Sequence, residues 1–396
     1  MADPTPRPSA LKSGSVDLVE SLDPAAVGSL TASSGFRFSS GGNSCQVAQL
    51  FMSNSCTAAR GSSHGVRVGP AIRRNGGEEV WVVTYSIVAR DKTTGDLGVA
   101  VQSRFLAVGS VVPWARAGVG AIATQSYANV GFGPDGLALL AGGATATGAL
   151  ATLVEADRLP EQRQVGIVDA HGASATYTGR SCFAWAGGRT GSDYAAQGNI
   201  LAGPAVVDGL ADTFEAGGLP FPELLVACLG AADAAGGDRR GRQSAALLVV
   251  REGGGYGGGN DRWIDLRVDD HADPVAELAR LLDLTHLYMD RPTPAELIAL
   301  DTALAGELRD HLGRLGWDPA TGGSPVFAPM WPDEAEPEQE RPSVGDPQPL
   351  PDGWGPAWQD RFLAWMAVEN LEERTAAAGW IDPKVLAYLR DAALKR

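Results

Sequence analysis

Thr84 heads the run Thr84-Tyr85-Ser86-Ile87-Val88-Ala89-Arg90-Asp91, a strand-like segment at which folded-protein composition begins. A hydroxyl is a weak nucleophile unless a neighbouring base takes its proton. An α-amine ordinarily titrates near pH ~8, so it is neutral often enough at neutral pH to act as that base. A threonine at a mature N-terminus therefore carries nucleophile and base in one residue. The same threonine inside a chain is an ordinary β-branched strand residue. The chemistry turns on whether Thr84 has a free amine.

Three further groups could join it. The apolar run from Leu97 closes on Val101-Gln102-Ser103-Arg104. If the two runs pair as a hairpin, Ser103 or Gln102 comes to lie beside Thr84 and supports its amine. The alternative is a strand emerging into solvent. Thr124-Gln125-Ser126-Tyr127-Ala128-Asn129 and Gln197-Gly198-Asn199 place side-chain amides after apolar runs. Such amides recognise carbonyls and stabilise oxyanions, so Gln125, Asn129 and Asn199 are candidates for oxyanion or substrate-amide contacts. Asn and Gln in turns are the competing explanation. Gly236-Gly237-Asp238-Arg239-Arg240-Gly241-Arg242-Gln243-Ser244 gathers Asp238, Arg239, Arg240 and Arg242 before an apolar strand. Guanidinium forks bind carboxylates in bidentate fashion, which makes this a candidate clamp for an acidic substrate. A solvated turn with internal ion pairs competes. Asp269-Asp270-His271 could orient a base or hold a cation, but no other His is placed to join it, and a loop is the simpler reading. From Thr84 onward no GxSxG elbow occurs, and no GxxxxGK[ST] phosphate loop occurs in the chain. The cysteines Cys45, Cys56, Cys182 and Cys228 lack zinc or CxxC spacing and read as buried thiols. The expected chemistry thus needs no metal and no organic cofactor.

The elements that must position these residues follow from periodicity. Strands are expected over Val82 to Ala89, Leu97 to Ser103, Ala117 to Thr124, Ser244 to Arg251 and Asp261 to Val268. Gln164 to Asp169 and Ala173 to Thr178 read as a hairpin. Helices are expected over Gly136 to Ala156, Pro204 to Ala216, Phe221 to Ala235 and Asp273 to Leu284. Strands, then helices, then strands suit α+β packing in layers around sheets.

The net charge of −15 argues against a general nucleic-acid binder, which needs a basic face. No stretch is apolar enough to span a bilayer, and no basic start with an apolar h-region marks a secretory signal, so the expected location is cytoplasmic with no membrane partner. Residues 1–83 are rich in Ser, Gly, Ala, Pro and Arg without sustained period. They bury too little apolar surface to offset ordering entropy and read as a disordered extension or pro-segment. A third expectation is an early-called start. Gly76-Gly77-Glu78-Glu79 can be written in purine-rich codons like a ribosome-binding site, and Val83 can be a GTG start. Removal of the initiator residue would then leave Thr84 N-terminal. Autoproteolysis at Val83–Thr84 would free the same amine.

From Thr84 to about Arg280 the sequence resembles the bacterial and archaeal family DUF1028. The resemblance is carried by TYSIVARD at Thr84, GVAVQSRFLAVGSVVPWARAGVGAIATQSYAN from Gly98, QGNILAGP from Gln197, GGDRRGRQSAALLVV from Gly236 and DLRVDDH ending at His271. Members begin Met-Thr-Phe-Ser-Ile-Val-Ala, which aligns their Thr with Thr84. The resemblance implies an Ntn-hydrolase-like four-layer αββα sandwich over 84–290 and amide hydrolysis through an acyl-enzyme. The opening hairpin is similar to that of proteasome β-subunits, whose second strand ends Asp-Ser-Arg; here Gln102-Ser103-Arg104 lacks the acid.

Residues 291–396 read as a small helical domain. Helices are expected over Pro294 to Leu315, Trp358 to Glu373 and Asp382 to Leu394, with a mobile Pro/Glu-rich insert near 324–356. The Leu315-Gly316-Trp317 turn and Trp380-Ile381-Asp382-Pro383 resemble the peptidoglycan-binding module that often follows DUF1028 domains. Trp317, Trp354, Trp358, Trp365 and Trp380 could stack on sugars, or pack internally with self-association as the role. The combined expectation is a homo-oligomeric Ntn-type amidohydrolase acting on a small or peptide-like amide. Thr84 is its nucleophile, with Ser103 and Gln102 in support. The rival is a non-catalytic binding protein on the same scaffold, working through a glycan- or partner-binding C-terminal module.

Overall fold

The structure, a computed structural model, describes residues 84–321 and 343–395. The readings of residues 1–83, including Cys45 and Cys56, and of the insert up to residue 342 lie outside the described residues.

Ten strands build the N-terminal region. They are β1 (Thr84–Arg90), β2 (Leu97–Ser103), β3 (Pro113–Arg116), β4 (Gly120–Ser126), β5 (Arg163–Asp169), β6 (Ser174–Thr178), β7 (Gly187–Gly191), β8 (Tyr194–Asn199), β9 (Ser244–Val250) and β10 (Arg262–Val268). They form a six-stranded sheet in the order β10-β9-β2-β1-β8-β7 and a four-stranded sheet in the order β3-β4-β5-β6. Every pairing is antiparallel. The β1–β2 hairpin closes through Gly95, whose φ of 81° suits a residue without Cβ.

β1 is buried on both faces, with only Arg90 half-exposed. Its alternation assigns the faces. Tyr85, Ile87 and Ala89 pack outward against α3 (Ala205–Ala216), α4 (Phe221–Ala234) and α5 (Pro274–Met289). Val88 points the other way and joins Val99, Val101, Ala121 and Ala123 in the core between the sheets. The outer face of the four-stranded sheet packs Ile122, Val165 and Ile167 against α1 (Phe132–Ala141) and α2 (Ala146–Ala156).

The single helix expected over 136–156 is two helices. Gly143, at φ 92°, breaks it, and the Thr145 side chain then caps α2 by accepting from Gly148 N. β3, β7 and β8 were not legible by period, because Gly187–Gly191 and Tyr194–Asn199 are rich in Gly and Ala and lack β-branched alternation.

The C-terminal region has α6 (Thr302–Arg314), α7 (Pro356–Val368), α8 (Pro383–Leu394) and a two-residue ladder of β11 (Ile298–Ala299) with β12 (Trp380–Ile381). The first helix starts at Thr302, not near Pro294, because Asp301 caps Leu304 N and Ile298-Ala299 are spent in the ladder. α7 stops at Val368, and Asn370 turns the chain at φ 59°. Residues 343–356 pack on this region: Val344 bridges to Ala376, and Trp354 is 2% exposed. Trp317, Trp354 and Trp365 are core residues here, Trp358 stacks on Trp354 and Trp380 donates to Asp346 O. Trp317, Trp354 and Trp365 thus fill the module's interior, while Trp358 and Trp380 are half-buried. Arg374 joins the two regions. Its guanidinium donates to the carbonyls of His286 and Leu287 at the end of α5 and to Asp382 Oδ2. No helix among the described residues is long and apolar enough to cross a membrane.

Candidate functional site

Thr84 starts β1 between Ser103, which ends β2, and Asn199, which ends β8. Directly paired residues share a face, so all three side chains point toward the facing sheet. Thr84 Oγ1 lies 3.0 Å from Ser103 Oγ, and Thr84 is 2% exposed. Two residues along the same face, Ser86 donates to Gln125 Oε1 at 2.6 Å and accepts from Gln197 Nε2 at 2.7 Å.

The amide orientations in this cluster follow from main-chain carbonyls, which only accept. Gln164 Nε2 donates to Gly198 O (2.8 Å) and Gly187 O (3.3 Å), so its Oε1 is an acceptor. That oxygen takes Gln125 Nε2 at 2.9 Å and Asn199 Nδ2 at 2.9 Å. Asn199 Oδ1 is left buried without a partner. Gln125 Nε2 also approaches Thr84 O (3.3 Å) and Gln197 O (3.4 Å). Thr84, Ser86, Ser103, Gln125, Gln164, Gln197 and Asn199 are hydroxyls and amides. None of them ionises near neutral pH. A nucleophilic Thr84 could draw a base from its own α-amine but not from these neighbours.

The expected residues divide between this cluster and other places. Ser103, Gln125 and Asn199 are in it. Gln102 pairs with Tyr85, so it faces the helices, and its Oε1 and Nε2 are both buried without partners. Asn129 caps Gly131 N and donates to Asp157, which Arg163 also holds. The Asp157 carboxyl stays below the usual range: burial pushes it up, but the Leu159 N–H, Asn129 and Arg163 outweigh that. Asp238 has a fully buried side chain that accepts from Arg104 N at 2.9 Å and Arg240 N at 2.8 Å and pairs with the Arg240 guanidinium. Arg242 is bonded to Asp233, and Arg239 is exposed. His271 Nδ1 accepts from Asp273 N, a loop role. Cys228 is wholly buried, which pushes its thiol up to about 12, as expected of an inert thiol.

Ser86 and Gln164 are the residues that motif reading missed, and Gln197 and Arg104 stood in the quoted motifs without being taken as site residues. For Ser86 a signal existed: Thr84 and Ser86 alternate with Tyr85 and Ile87, which puts both hydroxyls on one face. Gln164 had none, since its partners come from strands distant in sequence. Two surface cavities lie elsewhere. One of about 630 Å³ is lined by Asn129, Phe132 and Leu153 beside α1 and α2. Another of about 560 Å³ is lined by Arg90, Asp193 and Phe214 at the opposite end of β1. Neither includes Thr84.

Comparison with known proteins gives two matched regions. Residues 84–278 match the family described as "Family of unknown function (DUF1028)". Residues 350–389 match the family described as "Putative peptidoglycan binding domain". A crystal structure of protein SPO2555 from Silicibacter pomeroyi, also DUF1028, is 29% identical and covers 52% of this chain and 86% of that one, with a TM-score of 0.48. No curated protein matches. The chain thus carries a DUF1028 match at 84–278, to a family of unknown function, followed by a peptidoglycan-binding-type match at 350–389.

Proposed function

We propose that residues 84–290 are an Ntn-type amidohydrolase on a four-layer αββα sandwich, active when Thr84 is the chain's first residue. The observation that carries this is Thr84 itself: its Oγ1 sits 3.0 Å from Ser103 Oγ in a cluster of neutral groups. In the proposed reaction the α-amine takes the Oγ1 proton as Oγ1 attacks the amide carbonyl. The C–N bond breaks, the departing nitrogen takes that proton, and an acyl ester remains on Thr84. Water then hydrolyses the ester to a carboxylate and restores the hydroxyl. Ser103 holds the hydroxyl in place. Asn199, with one amide hydrogen committed to Gln164, contributes its unpartnered oxygen as an acceptor for an N–H of the amine or substrate. No metal or organic cofactor takes part.

The test is a protein produced with Thr84 first, assayed against a panel of small amides, with intact mass to detect the acyl-enzyme. Thr84→Ala should abolish turnover and Thr84→Ser should retain part of it. Full activity in Thr84→Ala sinks the mechanism, and so does equal activity in the chain that retains its upstream residues.

A second reading is a binding protein on the same scaffold. The burial of Thr84, 2% exposed, favours it. Retention of the full chain on peptidoglycan, with no amide in the panel cleaved, would support it.

A further inference from the structure

The segment Gly237 to Arg240 is strung across one end of the six-stranded sheet. On one side, Asp238 Oδ2 accepts from Arg104 N, just past the end of β2. On the other, Arg239 N donates to Ile200 O and Ala202 N donates to Gly237 O, just past the end of β8. β1 lies between β2 and β8 in the sheet. The segment therefore passes the end of β1 at which Thr84 sits.

This crossing brings the Arg104 guanidinium onto the main chain of Arg240. Arg104 Nη1 donates to Arg240 O at 3.1 Å. Arg240 pairs with Asp238 at 3.1 Å, and the same carboxylate is fully buried and also accepts two main-chain N–H groups. The Arg240 guanidinium is thus paired with a buried carboxylate, the Arg104 guanidinium reaches the main chain of the same residue, and exposed Arg239 precedes it in the segment. In a chain of net charge −15 this is a local gathering of positive charge past the end of β1 at which Thr84 sits. Burial above all, with a smaller contribution from the charge of Arg104, outweighs the Asp238 pairing and leaves the Arg240 guanidinium with a lowered pKa. Two neighbouring arginines, of which Arg240 alone pairs through its guanidinium with Asp238, suit a ligand that brings another carboxylate.

We infer that the substrate is an amide bearing a free carboxylate, as an N-acyl amino acid or a peptide C-terminus does, and that Arg104 and Arg240 hold that carboxylate while Asp238 positions Arg240. This rests on the hydrolase reading for the word substrate, but the anion site itself does not. It differs from the clamp expected from the sequence: Arg104 enters, Arg242 leaves because Asp233 holds it, and Asp238 is a positioning residue.

The experiment is calorimetric titration of the full chain with N-acetyl-L-alanine and with N-acetyl-L-alaninamide, which differ in the carboxylate. The acid should bind at least about tenfold more tightly than the amide, because the amide cannot make a charge-assisted bidentate contact. Arg104→Gln should remove about tenfold of that, with unchanged circular dichroism, and Arg242→Gln should leave binding within about twofold. Equal binding of acid and amide, no binding of either, or wild-type binding by Arg104→Gln overturns the inference. The two readings separate cleanly. If the Thr84-first protein cleaves neutral amides as fast as acids, the hydrolase stands and the anion site falls. If the acid binds through Arg104 but no amide is cleaved, the anion site stands and the hydrolase falls.

Discussion

Gln125, on the four-stranded sheet, donates from Nε2 to the main-chain oxygen of Thr84 on the six-stranded sheet, at 3.3 Å. The same side chain accepts from Ser86 and donates to Gln164. One amide therefore ties the two sheets together at the candidate nucleophile. Gln125→Leu removes these bonds and leaves buried partners unsatisfied, at about 1–3 kcal/mol for each such group. The expected loss in urea unfolding is at least about 2 kcal/mol, and a loss under about 0.5 kcal/mol would mean the amide network does not hold the sheets.

Ser103→Ala tests the hydroxyl pair. Its removal should cost about 1 kcal/mol of stability, the usual net worth of one hydrogen bond. In the Thr84-first protein it should also lower kcat more than it raises KM, because Ser103 holds the hydroxyl and not the substrate. An unchanged kcat would leave Ser103 a purely structural residue.

Gly166 cannot carry a side chain where it stands. A Cβ there would lie 2.0 Å from Gln197 Oε1, an amide oxygen already enclosed between the sheets. Gly166→Ala should destabilise by about 1–3 kcal/mol, as overpacking does. A melting temperature within about a degree of wild type would show that Gln197 can move aside.

His286 offers a pH test at the junction of α4, α5 and the C-terminal region. Its Nδ1 lies 2.7 Å from Asp290 and its Nε2 3.0 Å from Glu223, the latter off the hydrogen-bond line. The Asp290 hydrogen bond raises its pKa above 6.5; burial opposes this, the Asp290 and Glu223 charges add to it, and Lys384 subtracts. A pKa raised on folding adds stability that is complete below the unfolded value near ~6.5 and fades as pH rises through the folded value. Wild type should therefore lose more stability than His286→Gln between about pH 6 and pH 8.5. Parallel melting profiles for the two proteins would refute the pairing.

Arg374 and Asp382, with side chains 3% and 2% exposed, form an ion pair at 2.7 Å. Arg374→Met strands the Asp382 charge and the carbonyls at the end of α5, and should cost about 3–5 kcal/mol. Arg374→Met with Asp382→Leu should recover part of that loss, because no charge is then left buried. No recovery in chemical unfolding would locate the cost in the α5 carbonyls and in the cap that Asp382 gives α8 through Lys384 N.

Local pattern was enough for the hairpin of β1 and β2, for β9, β10 and α3 to α5, and for the pairing that sets Ser103 beside Thr84. These depend on alternation and turn residues within short stretches, where side-chain period reports burial directly. It was also enough to single out Gln125 and Asn199. Placement of Gln102 and Asn129 depended on more. Gln102 is one residue from Ser103, and the pleat sends it to the other face. Asn129 found a closer partner in Asp157 than anything near Thr84.

Chain order alone carried the family, the opening strand and the residue types gathered around it. Tertiary packing decided which polar groups meet. Gln125, Gln164 and Asn199 come from three strands in two sheets, and their hydrogen bonds form only when those sheets close on each other. The loop of Arg239 and Arg240 reaches Arg104 for the same reason. Its anchors are main-chain groups at the ends of β2 and β8, and main-chain geometry is written in no side chain. Once buried, each of those polar groups must find a partner or remain at a cost, and Asn199 Oδ1 is where that search is still open.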